Sequence, residues 1–178
     1  MSFFIFLFNS IFIILILILI LILILILIRI IIIVLIIAMF GIKTLSDYFY
    51  LLLPMISGYT VSAFCSPGRD AGVNVKFRPP GWVFGVVWPI LYLLIGLAWI
   101  NSKKYSIYFI VLNILLNLWL VFYGCQKNKL AGVYIILSSL LCSFFIYTVV
   151  EKYSKYLIIP LIIWLLFALL LNIFEVQN

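Results

Sequence analysis

Phe84, Trp88, Tyr92, Gly96 and Trp99 recur at spacings of four, four, four and three. That periodicity places them on one face of a helix. Such a face either packs on a neighbouring helix, with the glycine permitting close approach, or forms a wall for a flat aromatic ligand. Two later stretches carry similar faces: Asn113 and Asn117 are four apart with Trp119 nearby, and Pro160, Trp164, Phe167 and Asn172 lie nearly on one side of another helix. An amide in apolar surroundings needs a partner, so the asparagines are expected to point inward, as glue between helices or as contacts to a guest. Ser57, Gly58 and Ala63 would leave room beside them. The chemistry these residue types offer is stacking and hydrogen bonding in an apolar pocket between helices.

Other chemistries are excluded. The chain has no histidine, which removes the commonest general base, the commonest zinc and haem ligand and any Ser-His-Asp or Cys-His arrangement. It has no GxxxxGK[ST] phosphate loop. Asp47, Asp70, Glu151 and Glu175 all fall at the ends of apolar runs, so no carboxylate relay crosses the membrane. Cys65, Cys125 and Cys142 have no CxxC spacing and lie in apolar sequence; they read as small hydrophobes, with neither a disulfide framework nor a metal site expected.

The elements that must carry these faces follow from composition. Of 178 residues, 69% are apolar and 8% charged, against roughly 45–50% apolar in soluble domains, so the chain is an all-α integral membrane protein. The balance of 11 Lys+Arg against 4 Asp+Glu is spread singly or in pairs between apolar runs. That pattern suits lipid headgroups and excludes a nucleic-acid partner. Residues 1–44 are expected to form an N-terminal Ile/Leu-rich transmembrane anchor, with an apolar tract from about Ile11 to Phe40 interrupted only by Arg29. The tract exceeds a signal-peptide core and no small-residue cleavage site follows it, so it should stay attached. Residues 45–178 are expected to form a five-helix transmembrane bundle, with helices at about 48–65, 81–100, 106–124, 130–150 and 156–174. Short turns make sequential helices antiparallel neighbours. The exception is the stretch from Ser66 to Pro80, long, basic and rich in Pro and Gly, where function tends to reside. Five Lys/Arg fall on each side of this layout, so the positive-inside rule does not choose an orientation.

Residues 79–92, Pro-Pro-Gly-Trp-Val-Phe-Gly-Val-Val-Trp-Pro-Ile-Leu-Tyr, resemble the PPxWvFgpvWxxLY signature of the TspO/MBR family, the tryptophan-rich sensory proteins and the mitochondrial translocator protein. Leu116-Asn117-Leu118-Trp119 followed by Phe122-Tyr123-Gly124 resembles the family's LNxxW…FFG, and Pro160, Trp164, Phe167 and Asn172 resemble its PYxxWxxFxxxLN. The likeness covers about residues 48–178. Departures are Asn74-Val75-Lys76-Phe77 in place of a Trp-rich, Lys-Pro-containing loop, Leu161 in place of a tyrosine, and a shortened Asn117–Trp119 spacing that leaves either Asn113 or Asn117 for the usual asparagine. The Ile/Leu anchor has no counterpart in the family's five-helix plan.

The resemblance implies a bundle, often a homodimer, that binds protoporphyrin IX, haem or sterols and requires no cofactor or metal. The implied pocket uses Trp82, Trp88 and Tyr92, then Asn117 and Trp119, then Trp164 and Phe167, with Phe77 closing it from the loop. A porphyrin's carboxylates would meet Arg69, Lys76 or Arg78 through charge-assisted bonds. Three functions follow as expectations: a membrane receptor or carrier for porphyrins or similar flat lipophiles, a light-dependent porphyrin-degrading enzyme with Trp88 or Trp164 as the oxidisable partner, or a non-catalytic sterol-sensing or scaffold protein. The last draws on loose sterol-contact patterns around Tyr123 and Tyr153. The implied location is a mitochondrial outer membrane or a bacterial envelope.

Overall fold

The computed structural model of the chain describes residues 20, 22, 24–32, 42, 44–67, 71–72 and 74–177. Five long helices follow one another: α1 (Leu45–Phe64), α2 (Gly81–Asn101), α3 (Ser106–Trp119), α4 (Lys129–Val149) and α5 (Lys152–Gln177). A short 3-10 turn, Lys103–Tyr105, leads into α3, and α3 runs on as a wider π-helical segment, Leu120–Cys125. No strand occurs among the described residues. Four of these stretches, α2, Lys103–Cys125, α4 and α5, are long and apolar enough to cross a bilayer. α1 has 20 residues but includes Ser46, Asp47, Ser57, Thr60 and Ser62. The chain is therefore a multi-pass integral membrane protein. Most of the Ile/Leu tract lies outside the described residues; within it, residues 24–32 are helical, and Leu27 is buried against Leu94 and Leu97 of α2.

The helices close a ring in which α1 packs on α2, α2 on α5, α5 on α4, α4 on α3, and α3 returns to α1. Their alternating directions give the bundle two ends. One gathers the starts of α1, α3 and α5; the other gathers the stretch after α1, the π segment, the start of α4 and the end of α5.

The first end is sealed by side chains. Asp47 is buried, accepts the Thr44 backbone N–H at 2.9 Å and pairs with Lys103. This capping arrangement explains why α1 begins three residues before the apolar run does. Trp99 is fully buried, donates its indole N–H to Ser106 Oγ at 2.8 Å and stacks on Phe109 with ring centroids 5.6 Å apart. Ser154 donates to the Ala98 carbonyl at 3.1 Å and lies 2.8 Å from Ser102 Oγ, joining α5 to α2. Gly96 lets α1 and α2 touch backbone to backbone, since a Cβ there would run into the Leu51 carbonyl.

The cysteine reading needs correction. Cys65 and Cys125 form a disulfide with Cα atoms 4.7 Å apart across a sequence separation of 60 residues, and only Cys142 is free. Spacing rules miss it because the two residues meet through topology: the end of α1 and the end of the π segment arrive at the same end of the bundle. Gly124 makes the meeting possible, because a Cβ at that position would strike the Cys65 carbonyl.

Gly96→Ala is expected to cost about 1–3 kcal/mol through overpacking at the α1–α2 contact. Thermal unfolding in detergent should show it as a lowered midpoint. Gly81→Ala should leave the midpoint unchanged, since a Cβ there meets nothing within 4 Å.

Candidate functional site

At the second end the helices spread around a cavity of about 760 Å³. Gly58, Tyr59 and Ser62 of α1 line one side, and Trp82, Phe84, Gly85, Trp88 and Tyr92 of α2 the next. Leu116 and Trp119 of α3 with Tyr123 of the π segment face them, Trp164, Ala168, Asn172 and Glu175 of α5 complete the wall, and Pro67, Gly72 and Arg78 cross the mouth. The helical spacing explains the selection. Positions 84, 88 and 92 project from one face of α2, and 164, 168, 172 and 175 from one face of α5.

The walls form a continuous aromatic surface. Trp88 and Trp119 are nearly parallel, 26° apart with centroids separated by 6.4 Å. Trp88 also contacts Tyr92 at 5.5 Å and meets Trp164 edge to face at 6.5 Å, while Trp119 stacks on Tyr123 at 4.9 Å. Tyr92 closes the floor, its ring lying where a Cβ on Gly58 would be. Tyr59 and Trp82 line the cavity and are also 52% and 61% exposed, so the cavity reaches the outer surface between α1 and α2.

Polar groups are few and grouped. Trp119 donates its indole N–H to Asn172 Oδ1 at 3.2 Å, and Asn172 donates back to the Ala168 carbonyl at 2.8 Å. Glu175 is 6% exposed and accepts from the Gly72 N–H at 2.9 Å, from Lys129 Nζ at 3.2 Å and from the Tyr123 hydroxyl. These three donors come from the loop, from α4 and from the π segment. Gly72 has φ +72°, which favours glycine, and its Cβ position is crowded by Leu171 and Arg78. Arg78 stands over the Phe84 ring, its guanidinium carbon 5.8 Å from the centroid. Trp164 is 3% exposed, and its indole N–H has no hydrogen-bond partner among the described residues.

Of the residues singled out from sequence, Trp82, Trp88, Tyr92, Trp119, Trp164 and Arg78 line the cavity. Phe77 does not close it. Its ring packs on Phe174 at 5.2 Å and on Phe167 at 6.4 Å, fastening the loop to α5, and Phe167 supports Trp164 from outside at 5.5 Å. Asn117 also sits outside the lining; it and Asn113 donate to Ser57 Oγ at 3.1 and 3.0 Å, binding α3 to α1. Lys76 is exposed outside the lining, and Arg69 lies outside the described residues. Sequence reasoning passed over Tyr123 and Glu175. Tyr123 is buried against Glu175, so the sterol-contact pattern around it does not describe a lipid-facing side chain. Glu175 was detectable, because 164, 168, 172 and 175 repeat a four-four-three spacing like that of the α2 face.

The TspO/MBR family model matches residues 51–176, from within α1 to the last turn of α5. A Tryptophan-rich protein TspO of Archaeoglobus fulgidus is 32% identical over 114 residues, covering 57% of this chain and 74% of that protein. The protein of the same name from Chlorobaculum tepidum is 30% identical over 115 residues, covering 56% and 72%.

Glu175→Gln should release the loop, because an amide keeps one acceptor where the carboxylate offers two and loses the charge that Lys129 meets. Weakening hydrogen bonds to a charged group by about 1–2 kcal/mol is expected to raise trypsin cleavage after Lys76 roughly tenfold. Glu151→Gln, at an exposed glutamate, should leave the cleavage rate as it is.

Proposed function

The chain belongs to the TspO/MBR family, and we propose that it is a membrane receptor or carrier that binds a tetrapyrrole such as protoporphyrin IX, or a similarly flat lipophile, in the aromatic cavity. The observation that carries this reading is the cavity itself, about 760 Å³ in volume and walled by Trp88, Trp119 and Trp164 from three different helices.

The shape supports the same reading. Trp88 and Trp119 are nearly parallel, and a flat aromatic ligand gains by stacking against such faces. Volumes of roughly 300–1,000 Å³ are usual for small-molecule sites, and this cavity falls within them. Arg78 at the mouth suits the carboxylates of a porphyrin, and Lys129 already neutralises Glu175. Haem would have no histidine to ligate its iron in this chain.

Titrating the detergent-solubilised chain with protoporphyrin IX in the dark should quench tryptophan fluorescence saturably. Trp88→Phe with Trp164→Phe removes two indoles and trims the stacking surface, and should weaken binding about tenfold, or 1.4 kcal/mol. Lys76→Gln with Arg78→Gln should weaken protoporphyrin but not its dimethyl ester. If neither form saturates, the tetrapyrrole reading fails and sterols become the next ligands to test. A second reading, light-driven breakdown of the bound porphyrin, is favoured by the direct contact of Trp88 with both Trp119 and Trp164. A bilin-like absorbance that grows under light and not in the dark would support it.

A further inference from the structure

The disulfide joins two of the elements that shape the cavity mouth. Cys65 closes α1, and the next two residues, Ser66 and Pro67, line the cavity. Cys125 closes the π segment, whose Leu120 and Tyr123 line it from the other side. Tyr123 in turn donates to Glu175, which holds Gly72 of the loop. The loop is thus secured at its start by the disulfide, in its middle by Glu175, and at its end by α2. The sequence separation of 60 residues between the two cysteines means that this tether removes a large loop's freedom from one place, the rim.

We propose that the Cys65–Cys125 disulfide is a positioning element of the ligand cavity, so that the oxidised chain holds a flat ligand more tightly than the reduced chain. This rests on the cavity being a ligand site. Reduction by a dithiol delivers two electrons and two protons to the pair, giving two cysteine thiols and the cyclic disulfide of the reductant. Without the bond, the rim is held at Gly124 and Cys65 by packing alone. Ser66 and Pro67 then sample positions in which the cavity is open while Tyr123 stays on Glu175, and the ligand must order them on binding.

The test uses the full chain carrying Cys142→Ser, so that the rim pair is the only redox group, titrated with protoporphyrin IX in the dark before and after reduction with dithiothreitol. Reduction is expected to raise Kd roughly tenfold, within the usual range of coupling between sites. Linkage is reciprocal, so saturating protoporphyrin should lower the midpoint potential of the pair by about 30 mV, the two-electron equivalent of tenfold. A disulfide that only stabilised the fold would lower the unfolding midpoint on reduction without responding to the ligand. Cys65→Ser with Cys125→Ser should bind as the reduced chain does and show no redox response; should that variant fail to fold, the reduced wild-type pair still decides. Equal affinity in the two redox states, with no ligand-dependent shift in potential, overturns the proposal and leaves the receptor reading standing. Absence of saturable binding in both states overturns the receptor reading, and this proposal with it.

Discussion

A carboxylate at the end of a membrane helix must be surrounded by donors, and the arrangement around Glu175 organises the mouth of this bundle. Its three partners come from elements far apart in sequence, the Gly72 backbone, the Tyr123 hydroxyl and the Lys129 ammonium. Removing a buried charge from water is costly unless it is paired and hydrogen-bonded. That cost gives the loop, the π segment and the start of α4 a single common position relative to α5. The cavity is what lies inside that position. Its opening is set by the demands of that anion, together with the Cys65–Cys125 tether, more than by apolar contact.

The two ends of the bundle handle the same physical problem differently. At the closed end the buried donors are paired: Trp99 on Ser106, Ser154 on Ala98, and Lys103 reaches Asp47. The aromatic rings there stack at contact distance, and Gly96 brings α1 onto α2. At the cavity end the Trp164 N–H has no partner among the described residues, Gly85 faces open space, and Trp82 is largely exposed. Close packing ordinarily eliminates voids of this size. A fold that seals one end and leaves the other hollow concentrates its unfilled space at the end that the receptor reading assigns to a ligand.

Much of the helical framework is legible in the sequence, because a bilayer offers backbone groups no alternative partner. Runs counted by apolarity place α2 and α4 to within a residue at each end. α1 begins at Leu45 rather than Tyr48 because Thr44 and Asp47 form a cap, and α5 extends to Gln177 because Glu175 is buried inside the bundle rather than solvated at its edge. The aromatic faces are legible too, since Phe84, Trp88 and Tyr92 follow from spacing alone. What hydropathy cannot record is which side chains meet across the bundle. Asn117 and Phe167 lie on the right helices, yet their neighbours direct them to Ser57 and Trp164. The Cys65–Cys125 pair needed the path of the chain and the notch at Gly124 before it could be seen.

Selectivity in such a cavity rests on its few polar groups. An apolar wall discriminates weakly, since a missing methylene changes binding by only about 1–3 kcal/mol. A site whose buried donor goes unmatched rejects a ligand more firmly, because the donor is left without water or partner. Arg78 stands at the rim of the cavity. On the receptor reading, a ligand with an anionic group at the edge of its flat body meets that charge in one orientation, with the apolar body against α2 and α5. A neutral lipophile has no such match, and gains only the area it buries. On that reading the charge at the rim, more than the cavity's volume or its aromatic lining, decides which flat molecules are held.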